Sequence, residues 1–440
     1  MTTKVLMFGW EFPPHNTGGL GPACLGITKS LAKLGVDLTF VLPKKLDYGV
    51  TSTKMLFAPD TLKTILPNQI PDLENLNVEV VAVNSLLWPY AEPQSYLNTL
   101  AAFPNSNSSI TQIYAPNLEA EVQRYALMVN QVLQDQEFDI IHAHDWLTFP
   151  AALKAKQISQ KPLVVHIHST EFDRSGSTGN NRIFEIEKQA MQAADRVITV
   201  SEHTKRVVIE HYQIDPDKIV AIHNGVELIP LLDTNSDINQ QNASLKQSLE
   251  HFKQNGYDLV LFVGRLTYQK GVEYLLKAAQ KALQFNPKTI FIIAGSGDME
   301  NHLIHLSASL GISDKVIFTG FLRGTNLDTL YKMADLFVMP SISEPFGLVG
   351  LESLLNQTPV IFSKTSGVGE VIQNALKVDF WDVDAFASMI VSVLDHDSLK
   401  QTLTSFGHAE AKSATWDKAG EKIKNLYNLM LKTDYASLRA

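Results

Sequence analysis

The chain is 440 residues long, 45% hydrophobic and 19% charged, with a formal net charge of −9 and one cysteine. That composition excludes an intrinsically disordered chain, and at roughly 150 residues per domain it points to two large domains or three small ones. Negative charge gives no long-range attraction for nucleic acid or anionic lipid. Cys24 alone forms neither an internal disulfide nor a thiolate zinc cluster, which fits a reducing, cytoplasmic compartment. The opening MTTKVLMFGWEFPPH holds only a short apolar run broken by Glu11, Pro13 and Pro14, and no later stretch reaches about 18 apolar residues, so neither a signal peptide nor a membrane span is expected.

Strand-length apolar runs recur, each followed by a turn and a helical pattern: KVLMFGW from Lys4, DLTFVLP from Asp37, VEVVAV from Val78, FDIIHAHD from Phe138, PLVVHIHS from Pro162, RVITVS from Arg196 and KIVAIHNG from Lys218. Runs without period-two alternation fit parallel strands covered on both faces, with helices at about Leu20 to Leu34 and Arg182 to Ala194 making the crossovers. Residues 1–230 are therefore expected to form a doubly wound, Rossmann-like α/β domain. Within it, about 85–118 reads as a loop excursion carrying Trp88, Tyr90 and Tyr96, aromatics suited either to stacking on a sugar or to packing. The rhythm breaks over 228–256, polar and amide-rich, where the linker is placed. It restarts with DLVLFVGRL and runs through TIFIIAGSG, KVIFTGF, LFVMPS and PVIFSK, predicting a second doubly wound domain over 257–415 and a helix within 416–440. Two such domains facing a cleft bind ligands at the carboxyl ends of their strands.

The chemistry-bearing residues fall at those ends. Gly18 and Gly19 close the turn after the first strand, where glycine lets backbone N–H groups approach a phosphate at a helix N-terminus, or serves a plain tight turn. They do not form G-x-G-x-x-G, and no acidic residue follows at the dinucleotide spacing, so a nicotinamide cofactor is disfavoured. Arg265 and Lys270 flank the loop GRLTYQKG, two cations beside a helix N-terminus that itself prefers an anion; a diphosphate satisfies both, and solvated surface cations are the alternative. A GSGD turn at Gly295–Asp298 adds a second glycine turn on that edge. In SISEPFGLVGLES, Glu344 and Glu352 are too far apart to share a proton or a metal, since eight helical residues rise roughly 12 Å. Pro345 favours the first helical position, which leaves Glu344 in the preceding loop and Glu352 a turn or more inside the helix. The pairs His142/His144 and His166/His168, each on one face of a strand, fit with Asp145 either polar residues lining a sugar pocket or a metal-dependent hydrolase, while His142 and His166 also fit core histidines satisfied by backbone carbonyls.

Taken in order, GGLG, HAHDW, HIHSTEF, HNGVE, GRLTYQKG, GSGD and SEPFGLVGLE resemble the retaining GT-B glycosyltransferases of glycosyltransferase family 4, with the first two motifs leaning towards glycogen and starch synthases. The resemblance implies a nucleotide-diphosphate sugar on the C-terminal domain, an acceptor on the N-terminal one, cleft closure, and a C-terminal helix crossing back to the first domain. It implies that Arg265 and Lys270 clamp the diphosphate, Glu344 binds donor-sugar hydroxyls and Glu352 the ribose. Gly347 and Leu348 would offer backbone N–H groups, His168 would contact the sugar near its reacting carbon, Gly18 and Gly19 would close over the phosphates, and His144 with Asp145 would meet the acceptor. Glycogen synthases usually carry K-x-G-G where this chain has Asn16, so that donor contact is absent.

The expectation is thus a cytoplasmic enzyme extending an α-1,4-glucan from ADP-glucose or UDP-glucose with retention, needing no metal or other cofactor and touching neither nucleic acid nor membrane. Transfer to a small-molecule or lipid-linked acceptor, the hydrolase, and a non-catalytic sugar-nucleotide binder are the alternatives.

Overall fold

The computed structural model describes residues 2–13, 18–43, 63–65, 78–82, 118–134, 136–176, 179–227, 239–322 and 324–432. Asn16, Trp88, Tyr90 and Tyr96 lie outside them.

The first sheet contains β1 (Lys4–Phe8), β2 (Asp37–Leu42), β3 (Lys63–Ile65), β4 (Val78–Ala82), β5 (Ile140–His144), β6 (Leu163–Ile167), β7 (Arg196–Thr199) and β8 (Ile219–Ala221). Its order is β3-β4-β2-β1-β5-β6-β7-β8, parallel throughout except for β3 against β4. Helices α1 (Leu20–Lys33), α2 (Leu118–Gln134), α3 (Phe149–Ser159), α4 (Glu171–Ser175), α5 (Asn181–Ala193) and α6 (Glu202–Tyr212) accompany it. The second unit opens with α7 (Asn239–Gln254), followed by β9 (Asp258–Val263), α8 (Val272–Ala282), β10 (Thr289–Ala294), α9 (Glu300–Ser309), β11 (Val316–Gly320), α10 (Thr325–Met333) and β12 (Leu336–Met339). Then come α11 (Leu348–Leu355), β13 (Val360–Ser363), β14 (Leu376–Val378), α12 (Val383–Asp395) and α13 (Asp397–Ser413), in a parallel sheet ordered β11-β10-β9-β12-β13-β14.

Alternate residues of a strand face opposite sides of the sheet, and here both sides are buried. Val260, Phe262, Phe291 and Ile293 enter one core while Leu259, Leu261, Ile290 and Ile292 enter another. Double burial is why these strands read as unbroken apolar runs. Strand order reverses between β1 and β5 in the first sheet and between β9 and β12 in the second, and open parallel sheets bind ligands at such reversals, beyond the carboxyl ends. Gly18, Asp145, Arg265 and Glu344 follow those four strands.

The last described helix, α14 (Trp416–Lys432), returns to the first unit. Trp416, Ile423, Tyr427 and Met430 join the core of the first sheet, and α14 lies against α1. Small residues set that distance: a Cβ at Gly26 would stand 2.3 Å from the Trp416 ring, and one at Gly420 2.0 Å from Ser30 Oγ. The two crossings between units run side by side, with Val226 N donating to Ala414 O at 2.9 Å.

Two expectations need correction, and two strands went unread. The segment 239–254, read as part of the linker, is helix α7, whose Leu249 is fully buried in a core of the second sheet with Leu245 and Phe252 packed beside it. The second unit therefore starts before residue 257. Pro345 does not open a helix: α11 starts at Leu348 after Gly347, whose φ of 106° only glycine adopts at low cost. And β3 and β14, three residues each, were too short to stand out as apolar runs.

Candidate active site

At the end of β9 the backbone turns through Gly264 into Arg265, and a single 3₁₀ turn, Tyr268–Lys270, carries the chain to α8. Arg265 and Lys270 are half-buried. Gly271, at φ 64°, lets this turn press on the segment after β12: a Cβ there would lie 2.1 Å from Pro340 O. Buried Gln269 ties the two loops together, its side-chain amide N–H donating to Ser343 O at 3.0 Å and its backbone carbonyl accepting from Ile342 N at 2.9 Å. The GSGD turn braces the loop from behind, with Leu266 N donating to Ser296 O and Met299 N to Leu266 O, both at 2.9 Å.

This bracing brings Lys270 onto Glu344. Glu344 Oε2 accepts from Lys270 Nζ at 2.6 Å and from Ser341 Oγ at 2.9 Å, with the carboxylate side chain only 8% exposed. The sequence places these residues 74 positions apart, and the structure makes them one ion pair. Glu352, in the second turn of α11, is half-buried and accepts from Tyr331 Oη at 3.1 Å; burial pushes its carboxyl up.

From the other side, α1 follows Gly19 and α11 follows Gly347, neither with a side chain capping its first turn. The two N-termini face each other: a Cβ at Gly19 would stand 3.8 Å from Leu348 Cδ1, and Leu348 packs against the cores of both units. Uncapped helix N-termini offer N–H groups and positive dipole ends, the usual receptors of phosphate.

The four histidines are brought together. His144 and His166 are register partners on β5 and β6, and neighbouring rings lie stacked or tilted with centroids 4.4–5.4 Å apart. His168, half-buried, is the one at the cleft edge; its Nε2 lies 2.9 Å from His144 Nδ1. Deeper in, His142 Nε2 is 3.3 Å from His166 Nδ1, and His142 Nδ1 is 2.5 Å from Tyr427 Oη on α14. Burial pushes His142 and His168 down to about 3 and holds His144 and His166 well below the usual range, so all four are neutral. Side chains, and not the backbone carbonyls expected for core histidines, bond both nitrogens of His142 and Nδ1 of His166, while His166 Nε2 and His144 Nε2 are buried with no hydrogen-bond partner among the described residues.

His144 and Asp145 occupy positions that differ from acceptor ligands lining a pocket. His144 is fully buried, and Asp145, 2% exposed at φ 56°, accepts from His168 N at 2.7 Å and Ser169 N at 3.4 Å. Burial pushes its carboxyl up to about 7 against the pull of those N–H groups. Both residues hold His168 in place. His142, His144 and His166 do put one nitrogen each within 4.8 Å of the others. His142 is already bonded at both nitrogens, to Tyr427 and to His166, so that of the three imidazoles only His144 Nε2 and His166 Nε2 are buried without a partner among the described residues, one donor short of the three protein ligands a catalytic zinc takes. The geometry gives the hydrolase reading no support.

Residues the sequence reading did not single out complete the assembly: Ser341 and Gln269, Tyr331 on Glu352, and Asp173, whose Oδ1 accepts from Ser343 Oγ at 2.6 Å across the cleft. Only the i, i+3 spacing of Ser341 and Glu344 was a visible signal.

Two parallel Rossmann-like sheets with a cation–carboxylate pair and facing helix N-termini at their switch points define a GT-B architecture. Residues 245–420 match the model for "Glycosyl transferases group 1" and residues 102–229 that for "Glycosyltransferase Family 4". An uncharacterized glycosyltransferase of Methanocaldococcus jannaschii is 30% identical over 439 residues, covering 97% of this chain and 98% of its own. The glycogen synthase of Mycobacterium tuberculosis is 26% identical over 408 residues, 90% of this chain and 87% of its own. Among solved structures, Anabaena HepE in complex with UDP-glucose superposes with a TM-score of 0.66 at 18% identity, over 97% of this chain and 99% of that one. The chain belongs to the glycosyltransferases of the group 1 and family 4 type. Among the described residues no helix is long and apolar enough to cross a membrane.

Proposed function

We propose that the protein transfers glucose from ADP-glucose or UDP-glucose to an α-1,4-glucan with retention at the anomeric carbon. The observation that carries this reading is the Lys270–Glu344 pair, 2.6 Å long and set where the second sheet reverses strand order. Full-length similarity to a glycogen synthase supports the acceptor, and likeness of fold to HepE with UDP-glucose bound supports the donor class.

In this reading the donor diphosphate draws Lys270 off Glu344 and lies between Arg265, Lys270 and the first turns of α1 and α11, with Gly18, Gly19, Gly347 and Leu348 contributing backbone N–H groups. Glu344, released, accepts from the sugar hydroxyls, and Glu352 accepts from the ribose. The bond from the anomeric carbon to the diphosphate oxygen breaks while the acceptor hydroxyl attacks from the same face. Its proton passes to the departing phosphate oxygen. Negative charge grows on the diphosphate along this path, so fixed cations there bind the transition state more tightly than the ground state. Neutral His168, oriented by His144 and Asp145, hydrogen-bonds the sugar near the reacting carbon. Glu344 and Glu352 keep separate partners, Lys270 and Ser341 for the one and Tyr331 for the other, and in this reading neither acts as the nucleophile that one of two carboxylates ~5 Å apart supplies in a retaining glycosidase.

The test is a panel of ADP-, UDP- and GDP-sugars with and without maltooligosaccharides, read as product chain length and anomeric configuration. Elongation from one glucose donor is expected, with Lys270→Ala lowering kcat/KM about 100-fold or more. Donor turnover without glucan extension would move the acceptor to a small molecule or lipid, and an inverted product would overturn retention.

A further inference from the structure

The two units also meet at a polar contact that the transfer chemistry does not use. Helix α6 of the first unit begins after Ser201, whose hydroxyl accepts from Thr204 N at 3.0 Å. That leaves the N–H groups of Glu202 and His203 needing an acceptor, as the first turn of every helix does. It comes from the second unit. The Glu370 carboxylate, at the end of the 3₁₀ turn Gly367–Glu370, accepts from Glu202 N and His203 N at 2.8 Å each, and its Oε2 lies 2.6 Å from His223 Nε2 at the end of β8. Burial pushes the Glu370 carboxyl up, but the hydrogen bond to His223 and the two N–H donors outweigh it and hold the carboxyl below the ordinary range.

Further bonds surround this one. Ser201 Oγ donates to Pro345 O at 2.6 Å and Thr204 Oγ1 to the same oxygen at 3.2 Å. Gly367 makes the approach possible, because a Cβ there would lie 2.2 Å from Pro345 O and 2.7 Å from Ser201 Oγ. Pro345 follows Glu344, and Gly367 N donates to Glu344 O at 2.9 Å, so the surface gripped by α6 is the reverse side of the loop carrying Glu344.

We propose that Glu370 is an interdomain latch: by completing the first turn of α6 it holds the cleft closed and seats the Glu344 loop, and cleft opening breaks these bonds. It is a positioning residue, since it acts through α6 and Pro345. Three charge-assisted bonds are lost together when the cleft opens, and the donor, bound on one unit and covered by the other, regains them on closure. The proposal rests on the glycosyltransferase reading only for its kinetic readout.

The test uses the full chain with Glu370→Ala, Glu370→Gln and Ser201→Ala, each checked for native circular dichroism. Small-angle scattering without ligand is expected to show a larger radius of gyration for Glu370→Ala. Amides of Glu202 and His203 should exchange about tenfold faster, and donor KM should rise about tenfold with kcat within threefold, Glu370→Gln falling between. Unchanged scattering and exchange would overturn the latch, as would a fall in kcat at constant KM, which marks a direct role. If Glu370→Ala does not fold, Ser201→Ala decides by the same criteria from the opposite side. If no nucleotide sugar is turned over, the transfer reading fails alone, because scattering and exchange still judge the latch.

Discussion

Lys270 and Glu344 neutralise each other, so that neither leaves an unpaired charge buried in the cleft. The histidines use the opposite device and stay neutral. Each has a folded pKa below its unfolded value near 6.5, so between about pH 3 and 6.5 the unfolded chain binds more protons than the folded one. Stability is then fully present above that window and falls as pH drops through it, by about 1.4 kcal/mol per pH unit for each histidine. Asp145 and Glu187, both pushed up to about 7 by burial, act with the opposite sign from their unfolded pKa to about pH 7, and four imidazoles outweigh two carboxyls. Urea unfolding at pH 5, 6 and 7 should give stability rising with pH, and His166→Leu should flatten the slope by about 1.4 kcal/mol per pH unit. A flat wild-type profile would mean that the cluster is hydrated. Lys270 and Glu344 were legible because charged residues at strand ends have few structural uses. Glu370 was not, since its partners are backbone N–H groups of a helix 167 residues away, which a sequence does not display.

Among elements, the 3₁₀ turn Tyr268–Lys270 depends on the close approach at Gly271. Gly271→Ala meets both a positive φ and the Pro340 carbonyl, and should cost about 2–3 kcal/mol and weaken donor binding by displacing Lys270. Gly35, at φ 80° with open space around it, separates the two causes: Gly35→Ala should cost only about 1 kcal/mol and leave donor affinity intact. Equal effects in thermal melts and nucleotide titrations would show that backbone conformation alone matters. Most strands could be read from their apolar runs because double burial removes alternation. Helix α7 could also have been read: Leu245, Leu249 and Phe252 follow a 4–3 spacing, but surrounding amides lowered the average and concealed one apolar stripe. The turn that truly starts α11 was hidden by Pro345, an N1 signal overridden when its carbonyl was taken by Ser201 and Thr204.

In the molecule as a whole, the first unit is closed by a helix that follows the second. Gly26→Val should drive its side chain into Trp416, part α14 from α1 and lower stability by about 1–3 kcal/mol. Tryptophan emission shifted to the red and faster proteolysis near residue 415 would report it, whereas an unchanged emission and cleavage pattern would mean the helices pack with room to spare. This connectivity was visible as a helical pattern from Trp416, while its destination came only from family resemblance, because an apolar stripe does not name the surface it covers.

The return of α14 also orders events during synthesis. When the ribosome has finished β8, His142 still lacks Tyr427 and one flank of α1 is bare. At about 5–20 residues per second, the roughly 200 residues that separate β8 from the end of α14 take some 10–40 s to make. Through that interval the emerging protein carries an exposed apolar face and a half-bonded histidine ladder, the kind of surface that chaperones hold. The part of this chain that is translated first is among the last to finish folding.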